Sequence, residues 1–257
     1  SEPWLGIDAA VAKVIPGRDC QQIWDEMLHW LRRRAQAQIA TIKRKPVTVT
    51  RPVTNTGMNH RHPSYLPDGT LIFVEGLRHS PTALKKLVGT LENGQPKLEK
   101  IFNKGQYGDY DITRDGKYLY YANSHGRNNF SSFEDVFRLD LATGASTNLT
   151  EYARIGQPGI SPDGKLIMAV QNGKGHNNLV LLDDKGKLLR TLTNLEDNTQ
   201  FTAPRWSPDG SKIVMSAWRG ASRDLFMVDT RTWQTFPLWK DSPVDGGPVW
   251  TPDGHYV

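Results

Sequence analysis

Residues 203–220 read APRWSPDGSKIVMSAWRG. Trp206 stands directly before Ser-Pro-Asp-Gly, and the residues that follow place Ile213 and Met215 at the two-residue period of a strand. Proline presets φ at the start of a tight turn, and Asp-Gly supplies the polar and φ-permissive residues that the turn needs. The stretch therefore reads as strand, hairpin turn, strand. It recurs as PSYLPDGTLIFVEG, DYDITRDGKYLYYANS, PGISPDGKLIMAVQN and GPVWTPDGHYV. The turn aspartates are Asp68, Asp115, Asp163, Asp209 and Asp253, at steps of 47, 48, 46 and 44 residues. So regular a step is the signature of a repeat architecture.

Each unit continues in the same way. A third apolar strand follows (ALKKLVGTL, EDVFRLDL, NLVLLDD, DLFMVDT), then a fourth (PKLEKIF, ASTNLT, KLLRTLT, WQTFPLW). A four-stranded antiparallel unit with this period is a β-propeller blade. One blade cannot bury both of its faces, so neighbours must stack against it around an axis. Trp206, Trp250 and Tyr65, with Ile112 and Ile160 at the equivalent positions, are predicted to pack between blades. Asp209 is predicted to cap its own turn, because a calcium site needs several convergent oxygens and one Asp per blade does not supply them.

The predicted fold is all-β: a β-propeller of four-stranded antiparallel blades, about four and a half in number, over residues 46–257. The blades fall at about 58–105, 106–155, 156–200 and 201–245, with a partial one at 246–257. PVTVTRPVTNTG (46–57) alternates like a strand and is expected to serve as the fourth strand of a ring-closing blade. The ring is expected to be incomplete, the chain being a segment of a longer protein.

Residues 1–45 differ in kind and form an α-helical N-terminal segment, the expected end of an upstream domain. LGIDAAVAKVI reads as a short helix stopped by Pro16-Gly17. Asp19 and Gln22 form a capping-box pattern. Ile23, Met27, Leu31, Ala35 and Ile39 then recur at four-residue steps, with Trp24 and Leu28 widening the stripe. A helix from about Cys20 to Lys43 follows.

The net charge of +5 is concentrated near Arg32-Arg33-Arg34 and Lys43-Arg44-Lys45. It lacks the dense basic face with interleaved aromatics of a nucleic-acid binder, so no nucleic-acid partner is predicted. No apolar run approaches the roughly 18 residues of a membrane span, and no signal peptide is visible at the start. The single Cys20 excludes an internal disulfide and any multi-cysteine zinc site. The chain holds no GxSxG, GxxxxGK[ST] or HExxH. His60-Arg61-His62, followed by Pro63, reads as a polar loop rather than a metal site. No catalytic residue, metal or cofactor is predicted.

The WSPDG-type repeat, with its LFMVD strand and LT-ending strand, resembles the WD-like propeller repeat of the TolB family over roughly residues 47–257. It also resembles the propellers that gate prolyl-oligopeptidase-type serine peptidases. The first resemblance implies a six-bladed, periplasmic, protein-binding propeller. GIDAAVAKVIPGRDCQQIWDEM resembles the final helices of gluzincin-type zinc-peptidase-like domains. That resemblance implies peptidase chemistry, if any, outside this chain.

In a propeller the loops between second and third strands emerge on one face. Here they are GLRHSP, NSHGRNNFSS, NGKGHNN and AWRGASRD. They carry Arg78 and His79, His125 and Arg127, His176, and Arg219 and Arg223. His60-Arg61-His62 is expected to open on the same face. This predicts a donor-rich cationic rim for a protein or peptide ligand of acidic character.

Overall fold

The computed structural model describes residues 14–15, 17–45, 49–54, 57–76, 82–102, 109–128, 131–173, 175–220, 222–238 and 244–257. For His125, Arg127, Asn128 and Ser131 it describes the backbone alone. The chain divides into two compact units, Ser1–Val53 and Thr54–Val257.

The first unit is described chiefly by helix α1 (Cys20–Ile42). Its start is set by the capping box. Asp19 Oδ1 accepts from the Gln22 backbone N–H at 2.7 Å, and Gln22 Oε1 accepts from the Asp19 N–H at 3.2 Å. Lys43, Arg44 and Lys45 follow the C-terminal end, where positive charge suits the helix dipole. The short helix predicted over LGIDAAVAKVI lies outside the described residues but for Val14 and Ile15.

The second unit holds sixteen strands among the described residues, in four sheets of four. Sheet 1 runs β1 (Asn59–Tyr65), β2 (Leu71–Gly76), β3 (Ala83–Thr90), β4 (Pro96–Phe102). Sheet 2 runs β5 (Tyr110–Ile112), β6 (Tyr118–Asn128), β7 (Ser131–Asp140), β8 (Ser146–Asn148). Sheet 3 runs β9 (Ile155–Ile160), β10 (Leu166–Asn172), β11 (Asn177–Asp183), β12 (Leu188–Thr191). Sheet 4 runs β13 (Gln200–Trp206), β14 (Lys212–Arg219), β15 (Ser222–Asp229), β16 (Gln234–Pro237). Each is an antiparallel meander in chain order. Strand β9 lies against β5 on one side and β13 on the other, so first strands neighbour first strands, as around a propeller axis.

The core sits between sheets. Ile72, Val74 and Leu84 of sheet 1 pack with Tyr110, Leu119, Tyr121 and Leu139 of sheet 2. Tyr120 and Val136 of sheet 2 pack with Ile160, Ile167, Ala169, Val180 and Leu182 of sheet 3. Met168, Val170, Leu179 and Leu181 of sheet 3 pack with Phe201, Ile213, Met215 and Val228 of sheet 4. Ile167 and Ala169 thus face one neighbour while Met168 and Val170 face the other. A strand covered on both faces reads as a continuous apolar run, which is why LIMAV shows no polar alternation.

The turns behave as the sequence implies. Asp68, Asp115, Asp163, Asp209 and Asp253 each accept the backbone N–H two residues on, at 2.8 to 3.1 Å. In four of them the Ser or Thr two residues earlier donates its hydroxyl to the same carboxylate. These bonds hold the carboxylates below their ordinary value of 3.8, Asp209 at about 2, with the Ser207 hydroxyl the largest cause. A depressed carboxylate contributes stability above its unfolded pKa and loses it as the pH falls through the folded value. Stability measured by urea denaturation is expected to fall as pH drops from 3.8 toward about 2. Asp209→Asn should flatten that decline; an unchanged acid limb would contradict the assignment. Glu134 and Asp111, whose carboxyls burial pushes up, act with the opposite sign.

The LT endings have a mechanical role. Thr150, after β8, donates to Asp135 on β7 at 2.8 Å, and Thr193, after β12, donates to Asn178 on β11 at 2.9 Å. The same acceptors hold the backbone beyond: Tyr152 and Ala153 on Asp135, Leu195 on Asn178. This ties the fourth strand and the start of the next sheet to the third strand.

Between sheets, the Trp206 indole N–H donates to Gly159 O and the Trp250 indole N–H to Arg205 O, both at 3.0 Å. Ile160 is buried and Ile112 packs on the core between sheets 1 and 2. Tyr65 departs from expectation: it is 73% exposed. The packing surface for this position belongs to the preceding sheet, and sheet 1 is the first in the chain. Residues 49–54 are unpaired rather than a strand, and 244–257 form a turn without strand pairing; 46–48, 55 and 56 lie outside the described residues. NSHGRNNFSS is mostly strand, because β6 and β7 stay paired as far as Asn128 opposite Ser131, with a register shift after Gly126.

Candidate functional site

Each first strand except β5 bends at one register. His62, Gln157 and Ala203, each six residues before its turn aspartate, have φ of 51°, 52° and 53°, and Gly247 occupies the same register at 66°. The ladders shift there, between Arg61 and Ser64 and between Thr202 and Arg205. Such bulges re-aim side chains, and these positions are linked from sheet to sheet. His62 Nδ1 meets Asp109 Oδ1 at 3.1 Å, Asp109 being the same position in sheet 2. Gln157 Oε1 accepts from the Ala203 N–H at 2.8 Å.

Around this register charged groups from separate sheets converge. Asp109 is held below its ordinary value, first by the hydrogen bond from His62, with Arg205 and Arg223 also acting on it. Arg223 starts on β15 but reaches inward: its Nη2 donates to Thr202 Oγ1 on β13 at 3.1 Å and to Ser216 Oγ at 3.0 Å. Gly246 gives it room, since a β-carbon there would meet the guanidinium at 2.4 Å. Glu134 of β7 lies against Gly156 of β9, and its carboxyl is pushed up, first by burial and then by the charges of Asp109 and Asp135. Asp111 accepts the Ile160 N–H at 2.9 Å; burial pushes its carboxyl up, and Arg205 opposes that.

The predicted rim residues fall as follows. Arg219 is exposed and pairs with Asp197 at 3.5 Å, its Nε donating to Thr199 Oγ1 at 3.3 Å. Arg223 is turned toward the axis. His176 is folded onto its own loop, whose Gly173 a β-carbon would bring to 2.7 Å from the imidazole. His125 and Arg127 stand on β6 rather than in a loop. Arg78 and His79 lie outside the described residues. His60 and His62 belong to strand β1, not to a loop; His60 bonds Glu75 at 3.1 Å, beside the 2.7 Å pair of Lys85 with Glu75. The mouth is therefore of mixed charge. Asp109, Glu134 and Arg205 escaped the sequence reading, although the spacing from the turn aspartate locates Asp109. Among the described residues no group of three or more His, Cys, Asp or Glu is placed to hold a metal.

No family model matches the chain. A 69-residue stretch is 30% identical to the Tol-Pal system protein TolB of Alcanivorax borkumensis; it covers 26% of this chain and 16% of that protein. In fold, the chain is similar to a putative TolB from Agrobacterium tumefaciens, with TM-score 0.62 and 22% identity over 79% of this chain and 70% of that one. It is also similar to TolB from Acinetobacter baumannii, with TM-score 0.60 and 20% identity over 79% and 48% of the two chains. A prolyl endopeptidase structure gives TM-score 0.51 and 15% identity over 72% of this chain and 30% of that one. Four-stranded sheets stacked on their first strands, together with these likenesses, define a TolB-like β-propeller fold. No helix among the described residues is long and apolar enough to cross a membrane.

Proposed function

We infer that the propeller is a non-catalytic binding module of a bacterial envelope protein, holding a peptide segment of a partner protein at the end where second strands pass to third. The supporting observation is the convergence of His62, Asp109, Glu134, Arg205 and Arg223, from every sheet but the third, around one bulge register. Groups with donors and acceptors both turned inward suit an extended peptide, whose backbone offers both. Exposed Arg219 would favour acidic side chains at the periphery, and the backbone of Arg127 belongs to β6. The periplasmic location rests on the likeness to TolB.

The test uses an Asp/Glu-rich peptide and its Asn/Gln counterpart in isothermal titration calorimetry at two salt concentrations. The acidic peptide should bind about tenfold or more tightly, with affinity falling as salt rises. Arg127→Glu with Arg219→Glu should remove most of that preference. Equal affinities for the two peptides, or no effect of the double reversal, would contradict the reading. The second reading, an accessory propeller of a larger peptidase, draws on the likeness to a prolyl endopeptidase. Peptide hydrolysis by the full-length protein but not by this chain would favour it.

A further inference from the structure

Four of the five turns carry proline (Pro67, Pro162, Pro208, Pro252), and the second carries Arg114 instead. Where proline is present and a turn follows, its ring covers the glycine of that next turn. A β-carbon built on Gly116, Gly210 or Gly254 would meet the preceding Pro67, Pro162 or Pro208 ring at 2.7, 3.6 or 3.4 Å. At the remaining junction, Arg114 to Gly164, nothing lies within 4 Å. A cavity of about 470 Å³ opens there between sheets 2 and 3, lined among others by Arg114, Tyr118, Tyr120, Arg138, Asp163 and Asp184.

The chemistry of this cleft is specific. The Arg138 guanidinium lies 4.9 Å from the centre of the Tyr118 ring, and it opposes the rise that burial imposes on the Tyr120 hydroxyl. The turn carboxylates in the lining spend Oδ1 on their own turns, Asp115 on Thr113 and the Lys117 N–H, Asp163 on Ser161 and the Lys165 N–H, and their Oδ2 atoms lie 3.8 Å from Lys117 Nζ and 4.0 Å from Lys165 Nζ. Arg114 and Arg138 form no ion pair among the described residues. Asp184 is the acceptor left on the opposite wall. Two guanidinium groups, a flat aromatic side and one carboxylate together match a carboxylate with an amide N–H close beside it.

We propose that this cleft binds the C-terminal residue of a peptide, its carboxylate on Arg114 and Arg138 and its own N–H toward Asp184. A free N-acyl amino acid carries the same group. The cleft lies at the turn end of the strands, opposite the mouth, so its fate is independent of the reading above.

The experiment is a ¹⁵N NMR titration of the full chain with acetyl-trialanine free acid, its C-terminal amide, and N-acetyl-alanine. The free acid should shift the amides of residues 113–118 and 162–164 saturably, and the C-terminal amide should bind at least tenfold more weakly. N-acetyl-alanine matching the tripeptide assigns the site to small acyl amino acids; a tripeptide advantage assigns it to peptide ends. Arg138→Gln should weaken binding at least tenfold. Arg114→Pro, which restores the residue of the other four turns, should fold and do the same by closing the cleft. Equal binding of acid and amide, shifts centred on residues 219–223, no saturation at millimolar concentration, or unchanged binding by a folded Arg114→Pro protein would each overturn the proposal.

Discussion

Asp135→Ala is expected to lower the free energy of unfolding by about 3–5 kcal/mol, enough to remove a large part of a typical domain's stability. Asp135 is fully buried. It accepts from the Thr150 hydroxyl at 2.8 Å, the Tyr152 N–H at 2.8 Å and the Ala153 N–H at 2.9 Å. Thr150 in turn accepts the Val136 N–H at 3.0 Å. Alanine takes away the acceptor of all three donors at a position that is 0% exposed, and each buried unsatisfied group costs about 1–3 kcal/mol. The loss should also free the connection from β8 to β9, on which sheets 2 and 3 are joined. Asp135→Asn should cost less, about 1–2 kcal/mol, by keeping one acceptor but turning its amide toward the Tyr152 N–H. Asn178 fills the same register in sheet 3 because its Nδ2 faces the Leu195 carbonyl, at 3.3 Å. Urea denaturation measures both. An alanine variant within 1 kcal/mol of the parent, on the scale of a single exposed contact, would show that this carboxylate does not hold the sheets together.

Gly159→Val is expected to cost about 3 kcal/mol through overpacking alone. The backbones of sheets 3 and 4 approach closely at this glycine: a β-carbon there would stand 2.3 Å from Pro204 O, a backbone atom that cannot swing away. Separating the strands also stretches the bond from the Trp206 indole to Gly159 O, worth about a further 1 kcal/mol. Thermal or urea unfolding reads the sum. A valine variant as stable as the parent would mean that β9 and β13 are not in direct contact.

Those two sites differ in how far the sequence announces them. The turns were legible because each carries its own chemistry within a few residues: a carboxylate and a glycine in all five, joined by a proline in four and by a hydroxyl bonded to the carboxylate in four. The period followed from the turns, and the blade from the period. Gly159 gave no such sign, because its partner is a carbonyl 45 residues away. The bulge register was equally silent. His62, Gln157, Ala203 and Gly247 share a backbone conformation and no side-chain chemistry. Asp109, Glu134 and Arg205 become a cluster only when separate sheets are stacked. Tyr65 shows the converse, a residue whose type and spacing match Trp206 but which stays exposed, since burial at this register is supplied by the preceding sheet. NSHGRNNFSS misled by composition: Gly, Asn and Ser read as a loop, yet hairpin pairing carried β6 and β7 through much of it.

The sheets stack on their first strands, and this stacking brings their connecting segments to a common mouth. Hydrogen exchange at the Trp206 indole tests it most directly, because that N–H is bonded to the neighbouring sheet and to nothing within its own. The Trp206 indole proton is expected to be strongly protected in the folded protein, with the 40%-exposed Trp218 as the internal reference. Exchange at Trp206 as fast as at Trp218, in a protein whose β-sheet amides remain protected, would contradict it.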